Sequence, residues 1–295
     1  MIHIPVLKKE VLSYLGPKPN ENFIDATIGW AGHSLSILEK IEPNGKVLGI
    51  EIDWELYREL KNREIEERGL ILVNGSYVDL KEIVEKYNFK PINGILFDLG
   101  MSSWHLEKSG RGFSFQKDEP LDMRYFQEGE NYLTAAKIIN NWSQREIEKI
   151  LKEYGEERFS KRIARIIIEE RKKIPLKTTF QLVEVIRKSV PGWYKRKKIH
   201  FATKTFQALR IVVNQELDNI SQALPQALDI LEKGGRLVVI SFHSLEDRLV
   251  KNFLKEKKQQ GLLEILTKKP ITPSLEEINE NRRSRSAKLR AAKKL

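Results

Sequence analysis

Asn22-Phe23-Ile24-Asp25-Ala26-Thr27-Ile28-Gly29-Trp30-Ala31-Gly32-His33-Ser34 decides the fold. Residues 22–25 read as a short apolar strand, Gly29 and Gly32 allow a tight turn, and an apolar helical pattern runs over 33–41. Further strand-like runs lie at 46–51, 70–73 and 94–98, with helical patterns over 54–68 and 78–87 between them. Strands alternating with helices at this spacing predict a parallel sheet covered by crossover helices. The next such strand is 236–241, announced by Gly234-Gly235 after a long helix over 212–231. Between Asp98 and that helix lie about a hundred residues without a strand signal, far too many for a loop. They read as helices over 134–140, 144–154, 157–173 and 179–189, with Asn141-Trp142-Ser143 as a helix stop followed by a Ser cap. The expectation is an α/β domain (1–105 and 204–280) interrupted by an all-α domain (106–203) and followed by a basic tail (281–295).

The 295 residues are 40% hydrophobic, enough for a sizeable core. The absence of cysteine excludes disulfides, thiolate zinc sites and cysteine nucleophiles. No apolar run approaches 18 residues and the start lacks a signal-peptide core, which predicts a cytoplasmic protein that does not span a membrane. The formal charge of +11 is concentrated in two acid-free segments. One, 185–204, includes Lys195, Arg196, Lys197 and Lys198 beside Trp193 and Tyr194; the other, 281–295, includes Arg283, Arg285, Lys288 and Arg290. Such patches on a near-neutral body predict a nucleic-acid partner, with the two rings available for base stacking.

Ligands of open parallel sheets bind beyond the carboxyl ends of the strands. Here those ends are acidic: Asp25 on the first, Glu51-Ile52-Asp53 on the second and Asp98 on the fourth. The glycine spacing is not that of a dinucleotide loop, and a carboxylate there repels a pyrophosphate. It suits a ligand carrying an ammonium and a sulfonium, as S-adenosylmethionine does. An acid after the second strand can accept both ribose hydroxyls, and Asn74-Gly75-Ser76-Tyr77 can set a ring near adenine. Taken singly, Asp25 and Asp53 also read as helix caps.

The chain resembles the MraW family, the bacterial 16S ribosomal RNA (cytosine-N4) methyltransferases. The resemblance rests on His3-Ile4-Pro5-Val6-Leu7, the 25–34 loop, Asp98-Leu99-Gly100-Met101-Ser102-Ser103, Arg111-Gly112-Phe113-Ser114-Phe115 and Pro120-Leu121-Asp122-Met123-Arg124. It continues through residues 200–210, Ser241-Phe242-His243-Ser244-Leu245-Glu246-Asp247-Arg248 and residues 283–290. It implies a Rossmann-like S-adenosylmethionine-dependent methyltransferase with an inserted helical domain, acting on the N4 of a decoding-centre cytosine, position 1402, in 16S rRNA of the small ribosomal subunit. Carried over, the cofactor contacts fall on Ala31, Gly32, His33, Asp53, Tyr77, Asp98 and His105, joining Asp25 and Gly29 from the strand-end reading. Ala31 stands where the family commonly has Gly, Tyr77 where it has Phe and His105 where it has Gln. Ala31 puts a positive φ in question, and Trp30 is bulkier than such a loop needs.

A cytosine amino group is a poor nucleophile, so methyl transfer needs acceptors on its N–H bonds. Asp98 fits that catalytic role, the alternative being a purely cofactor-binding acid. His243 is a second catalytic candidate, relaying a proton or else merely opening a helix by bonding Glu246 or Asp247. Arg111, Phe113 and Phe115 either enclose the target base or pack in a core. The five histidines have no metal-ligand spacing, so no metal site is expected. A DNA amino-methyltransferase and a non-catalytic RNA-binding assembly factor are the rival readings, and homodimerisation is left open.

Overall fold

The computed structural model describes residues 4–63, 69–126 and 133–295, so His3 and the last part of the helix expected over 54–68 lie outside the described residues. The chain divides into two compact units, Met1–Gly100 with Leu217–Leu295, and Met101–Glu216.

The first unit is a seven-stranded sheet. Strands β1 (Phe23–Asp25), β2 (Val47–Glu51), β3 (Leu70–Asn74), β4 (Gly94–Asp98) and β5 (Arg236–Ser241) pair in parallel, and β7 (Lys288–Lys294) runs antiparallel between β5 and β6 (Leu263–Ile265). The order β3-β2-β1-β4-β5-β7-β6 reverses direction between β1 and β4, the switch point where such sheets bind ligands. Because both faces are covered, every residue of β1 and β2 is buried. Ile24, Leu48, Ile50, Ile95 and Phe97 point to one face, beneath α4 (Leu80–Lys86), α12 (Glu216–Ile230) and α13 (Ser244–Gln259). Phe23, Val47, Leu96 and Val238 point to the other, beneath α1 (Lys8–Leu15), α2 (Gly32–Ile41) and α3 (Trp54–Lys61). The fold is the expected Rossmann-like α/β class.

The second unit is helical: α5 (Ser103–Glu107), α6 (Ala135–Asn141), α7 (Gln144–Glu153), α8 (Ser160–Arg171), α9 (Thr179–Ser189), α10 (Gly192–Lys195) and α11 (Thr203–Asn214). Ser143 caps α7 in a reciprocal capping box with Glu146, as its place before the helical pattern predicts. The insertion is longer than expected, closing at Glu216 rather than at 203. Phe206, Ala208 and Leu209 of α11 belong to its core. The single helix expected over 212–231 is broken at Gln215, which adopts φ 51° and separates α11 from α12. The segment 281–295 is also not a free tail: after a 3₁₀ turn over Arg282–Ser286 it enters the sheet as β7, with Leu289, Ala291 and Ala292 buried. No helix is long and apolar enough to cross a membrane among the described residues.

Candidate active site

The parallel register places the acids on one edge. Asp25 lies level with Gly49 and Leu96, Glu51 with Asn74, and Asp98 with Ile240. Asp25 is 1% exposed; its Oδ2 accepts from the Ser34 hydroxyl at 2.7 Å and its Oδ1 from the Thr27 amide at 3.3 Å. Burial outweighs these bonds and pushes its carboxyl up to about 6. Glu51 is raised further, to about 8, by burial and then by the charges of Asp53 and Asp25, although its Oε1 accepts from the Asp53 amide at 2.9 Å. Asp98 stands well above the usual carboxylate range, first through burial and then through the nearby Asp25 and Glu246. Its amide donates to Thr27 Oγ1 at 2.7 Å, and its Oδ2 lies 3.7 Å from His33 Nε2. Its Oδ1 is buried with no hydrogen-bond partner among the described residues. Among the described residues no lysine or arginine offsets any of the three carboxyls. Burial therefore favours their protonated forms, and a cationic ligand on this edge would draw the carboxyls back to their ionised forms.

The loop after β1 supplies close backbone. Gly29 has φ 50° and Ala31 φ 64°, so Ala31 keeps the left-handed conformation that its side chain put in question. That strain is about 1 kcal/mol, offset in part by complete burial of the Ala31 methyl. A Cβ on Gly32 would stand 2.5 Å from the Pro5 Cγ, so the segment preceding α1 lies directly on this loop. The Arg63 guanidinium sits 4.4 Å over the Trp30 ring, which accounts for the bulk of that residue. His33 is buried in the first turn of α2. Tyr77 opens the 3₁₀ turn Tyr77–Asp79 after β3 and meets the Phe97 ring edge-on at 5.7 Å.

Two of the candidate side chains also cap helices. Asp53, expected to hold ribose hydroxyls, is 1% exposed, and its Oδ1 accepts from the Glu55 and Leu56 amides as the cap of α3. Glu51, the other acid of the Glu51-Ile52-Asp53 strand end, is the one on the strand tip. His243 is the cap of α13: its Nδ1 accepts from the Glu246 amide at 3.3 Å, and its Nε2 lies 3.2 Å from Glu246 Oε1. Glu246 Oε2 in turn accepts from the amides of Phe242 and His243. This geometry matches the helix-entry alternative and pins the imidazole to its own helix.

In the second unit His105 is buried on α5 against the rings of Phe113 (5.1 Å) and Tyr125 (4.8 Å). Arg111, expected on RNA, is 4% exposed and donates through Nη1 to the carbonyls of Arg124 and Tyr125, bracing its own loop. Phe113 is core, and Phe115 stacks on His200 at 4.5 Å. Lys195, Arg196, Lys197 and Lys198 are all exposed. Trp193 is 44% exposed, with Lys197 5.1 Å and Arg158 5.8 Å from its ring. Tyr194 cannot stack on a base: it is buried, and its hydroxyl donates to Glu157 at 2.8 Å. In the first unit Arg283 and Arg285 are exposed, whereas Arg290 is buried in a two-point ion pair with Asp247 (2.6 and 3.2 Å). Lys288 lies 3.7 Å from the same carboxylate. Arg290 therefore ties β7 to α13, its charge already matched by Asp247.

The MraW methylase family model matches residues 1–295. A relative from Persephonella marina, named Ribosomal RNA small subunit methyltransferase H, is 46% identical over 294 residues, covering 99% of both chains. One of the same name from Thermosipho africanus is 48% identical over 99% of this chain and 98% of its own. Another from Dictyoglomus thermophilum is 47% identical over 99% and 97%. With that similarity running end to end through both units, the chain belongs to the MraW methylase family.

Proposed function

We propose that the protein is an S-adenosylmethionine-dependent methyltransferase acting on the exocyclic N4 of the decoding-centre cytosine, position 1402, in small-subunit rRNA. The observation that carries this reading is the trio of buried Asp25 and Glu51 and half-buried Asp98 around a glycine turn at the sheet's switch point, with no lysine or arginine beside them among the described residues. The relatives named small subunit methyltransferases support the choice of RNA.

The donor set fits the cofactor. Carboxyls this far out of water favour a ligand with an ammonium and a sulfonium, and they disfavour a pyrophosphate. Glu51 accepts the ribose hydroxyls, and Tyr77 offers its ring to the adenine. When bound, S-adenosylmethionine supplies an electrophilic methyl group. The Asp98 Oδ1 accepts an N–H of the cytosine amino group, turns its lone pair toward that methyl and receives the proton the nitrogen gives up. Asp25, held by Ser34 and Thr27, stays fixed behind it. Lys195, Arg196, Lys197, Lys198, Arg283 and Arg285 take up phosphates, and Trp193 is the one ring of the basic segment placed to stack on a base.

The test is nucleoside mass spectrometry of small-subunit RNA incubated with the purified protein and methyl-labelled cofactor. N4-methylcytidine at the decoding centre is the expected product. Label on a ring carbon or a ribose oxygen, or RNA binding without label, refutes the assignment.

A further inference from the structure

Below the carboxyl edge of the sheet, α13 and the β6–β7 pair enclose a cavity of about 210 Å³ whose walls include Lys251, Lys255, Lys268 and Lys269 over a floor of Thr267 and Arg290. We infer that this groove is a second RNA contact, in which the four lysines hold phosphodiesters of the substrate strand leading away from the reacting base. The inference rests on the proposed action on RNA.

The charges here are available in a way that most of the chain's are not. Lys251 and Lys255 stand one helical turn apart on α13, so both ammonium groups reach the same wall. Lys268 and Lys269 leave β6 on the other side, and they and Lys255 are exposed. Among the described residues none of the four has a carboxylate within ion-pair distance, whereas Arg290 and Lys288 share Asp247. The groove thus carries four uncompensated cations around a floor already neutralised by Asp247. Thr267 uses its oxygen to accept from the Ala291 amide, which leaves its hydroxyl proton to donate.

Size and position narrow the ligand. The cavity is below the roughly 300–1,000 Å³ of sites that enclose a whole drug-sized molecule, so it suits backbone phosphates better than a complete nucleotide. Asp98 is level with Ile240, which pairs with Leu289, so Arg290 lies one residue below the level of Asp98 and two strands away. At about 4.8 Å per strand the groove begins on the order of 10 Å across the sheet from Asp98. A single strand whose base is drawn out to Asp98 passes this wall within a few nucleotides.

The experiment compares wild type with Lys251→Gln/Lys255→Gln/Lys268→Gln/Lys269→Gln, measuring affinity for a labelled small-subunit rRNA fragment against salt. The expected result is at least tenfold weaker binding at about 0.1 M salt, with a log–log slope shallower by about 0.7 for each phosphate lost. Calorimetric affinity for S-adenosylhomocysteine and the melting temperature should not move, since no substituted side chain is buried in the core or near the acids. Unchanged RNA affinity and slope in the variant overturn the groove and leave the methyltransferase reading standing. If wild type itself shows no salt-dependent RNA binding, both readings fall. Inorganic triphosphate binding that disappears in the variant while RNA binding persists assigns the groove to a free phosphorylated compound, and that also overturns the proposal.

Discussion

Glu51 offers the sharpest prediction, because its carboxyl is 6% exposed and pushed from an ordinary 4.5 up to about 8. The folded, ligand-free protein then binds a proton there between pH 4.5 and 8 that the unfolded chain has released. Unfolding sheds that proton, so stability falls as pH rises through this window and the loss is complete above pH 8. The displacement is about 3.5 pH units, which at about 1.4 kcal/mol per unit is about 5 kcal/mol. Asp25, raised from 3.8 to about 6, adds about 3 kcal/mol of the same sign, complete above pH 6. Glu51→Gln keeps an acceptor for the Asp53 amide and removes the titration. At pH 5 the variant and wild type should melt within a degree or two of each other. At pH 8.5 the ligand-free variant should melt higher by roughly 10 °C, at about 2 °C per kcal/mol for a chain of this size. A bound sulfonium ligand reduces the penalty on the ionised acids, so its stabilisation of wild type should grow between pH 6 and 8.5, and less so in the variant. Scanning calorimetry with and without S-adenosylmethionine at the two pH values decides it. Parallel pH profiles for the two proteins would show that Glu51 is not held protonated, and the uncompensated-acid argument would fail with it.

Three further outcomes follow from particular contacts. Asp98→Asn should lower methyl transfer by about 100-fold or more while changing cofactor affinity severalfold at most; equal losses in single-turnover rate and in calorimetric affinity would reduce Asp98 to a cofactor contact. Gly32→Ala drives a methyl group against the Pro5 ring, so cofactor binding should weaken about tenfold and Pro5→Ala should restore it; failure of the double variant to recover would separate Pro5 from the loop. Arg290→Met leaves the half-buried Asp247 with only Lys288 at 3.7 Å and should cost about 2 kcal/mol in urea unfolding; a stability loss under about 0.5 kcal/mol would mean that the pair is dispensable.

The parallel strands were legible because a sheet buried on both faces demands short unbroken apolar runs, and residues 46–51 and 94–98 have no other use for so many apolar side chains. Of the two strands that escaped reading, β6 is only three residues long, and β7 carries Lys288, Arg290, Lys293 and Lys294. Their strand state comes from pairing, β7 with β5 and β6 with β7, rather than from their own propensity. The end of the helical insertion was missed for a related reason: Gln215 turns the chain with a left-handed φ that carries no Gly or Pro signal. Glu51 and Asp53, two residues apart on a strand end, looked interchangeable, and only the register with β3 separates the strand tip from the helix cap.

Charge was the feature that sequence reported with least fidelity, since a count of basic residues does not say which are already spent. Arg290 and Asp247 are 43 positions apart and meet only because β7 folds back beside α13. Arg111 is spent on two carbonyls of its own loop. Once such groups are set aside, what remains is asymmetric within the first unit. Among the described residues, three carboxyls at the strand tips have no lysine or arginine to offset them, and four lysines of the groove have no carboxylate within ion-pair distance. The two sets do not neutralise each other, because the acids stand at the strand tips and the lysines on a separate wall open to solvent. The ionised acids weaken the free protein as pH rises, and a cationic ligand offsets that loss, while the solvent-facing lysines are matched by an anion. A cationic methyl donor and an anionic strand satisfy both requirements at once, and a neutral small-molecule substrate would leave the lysines without a purpose.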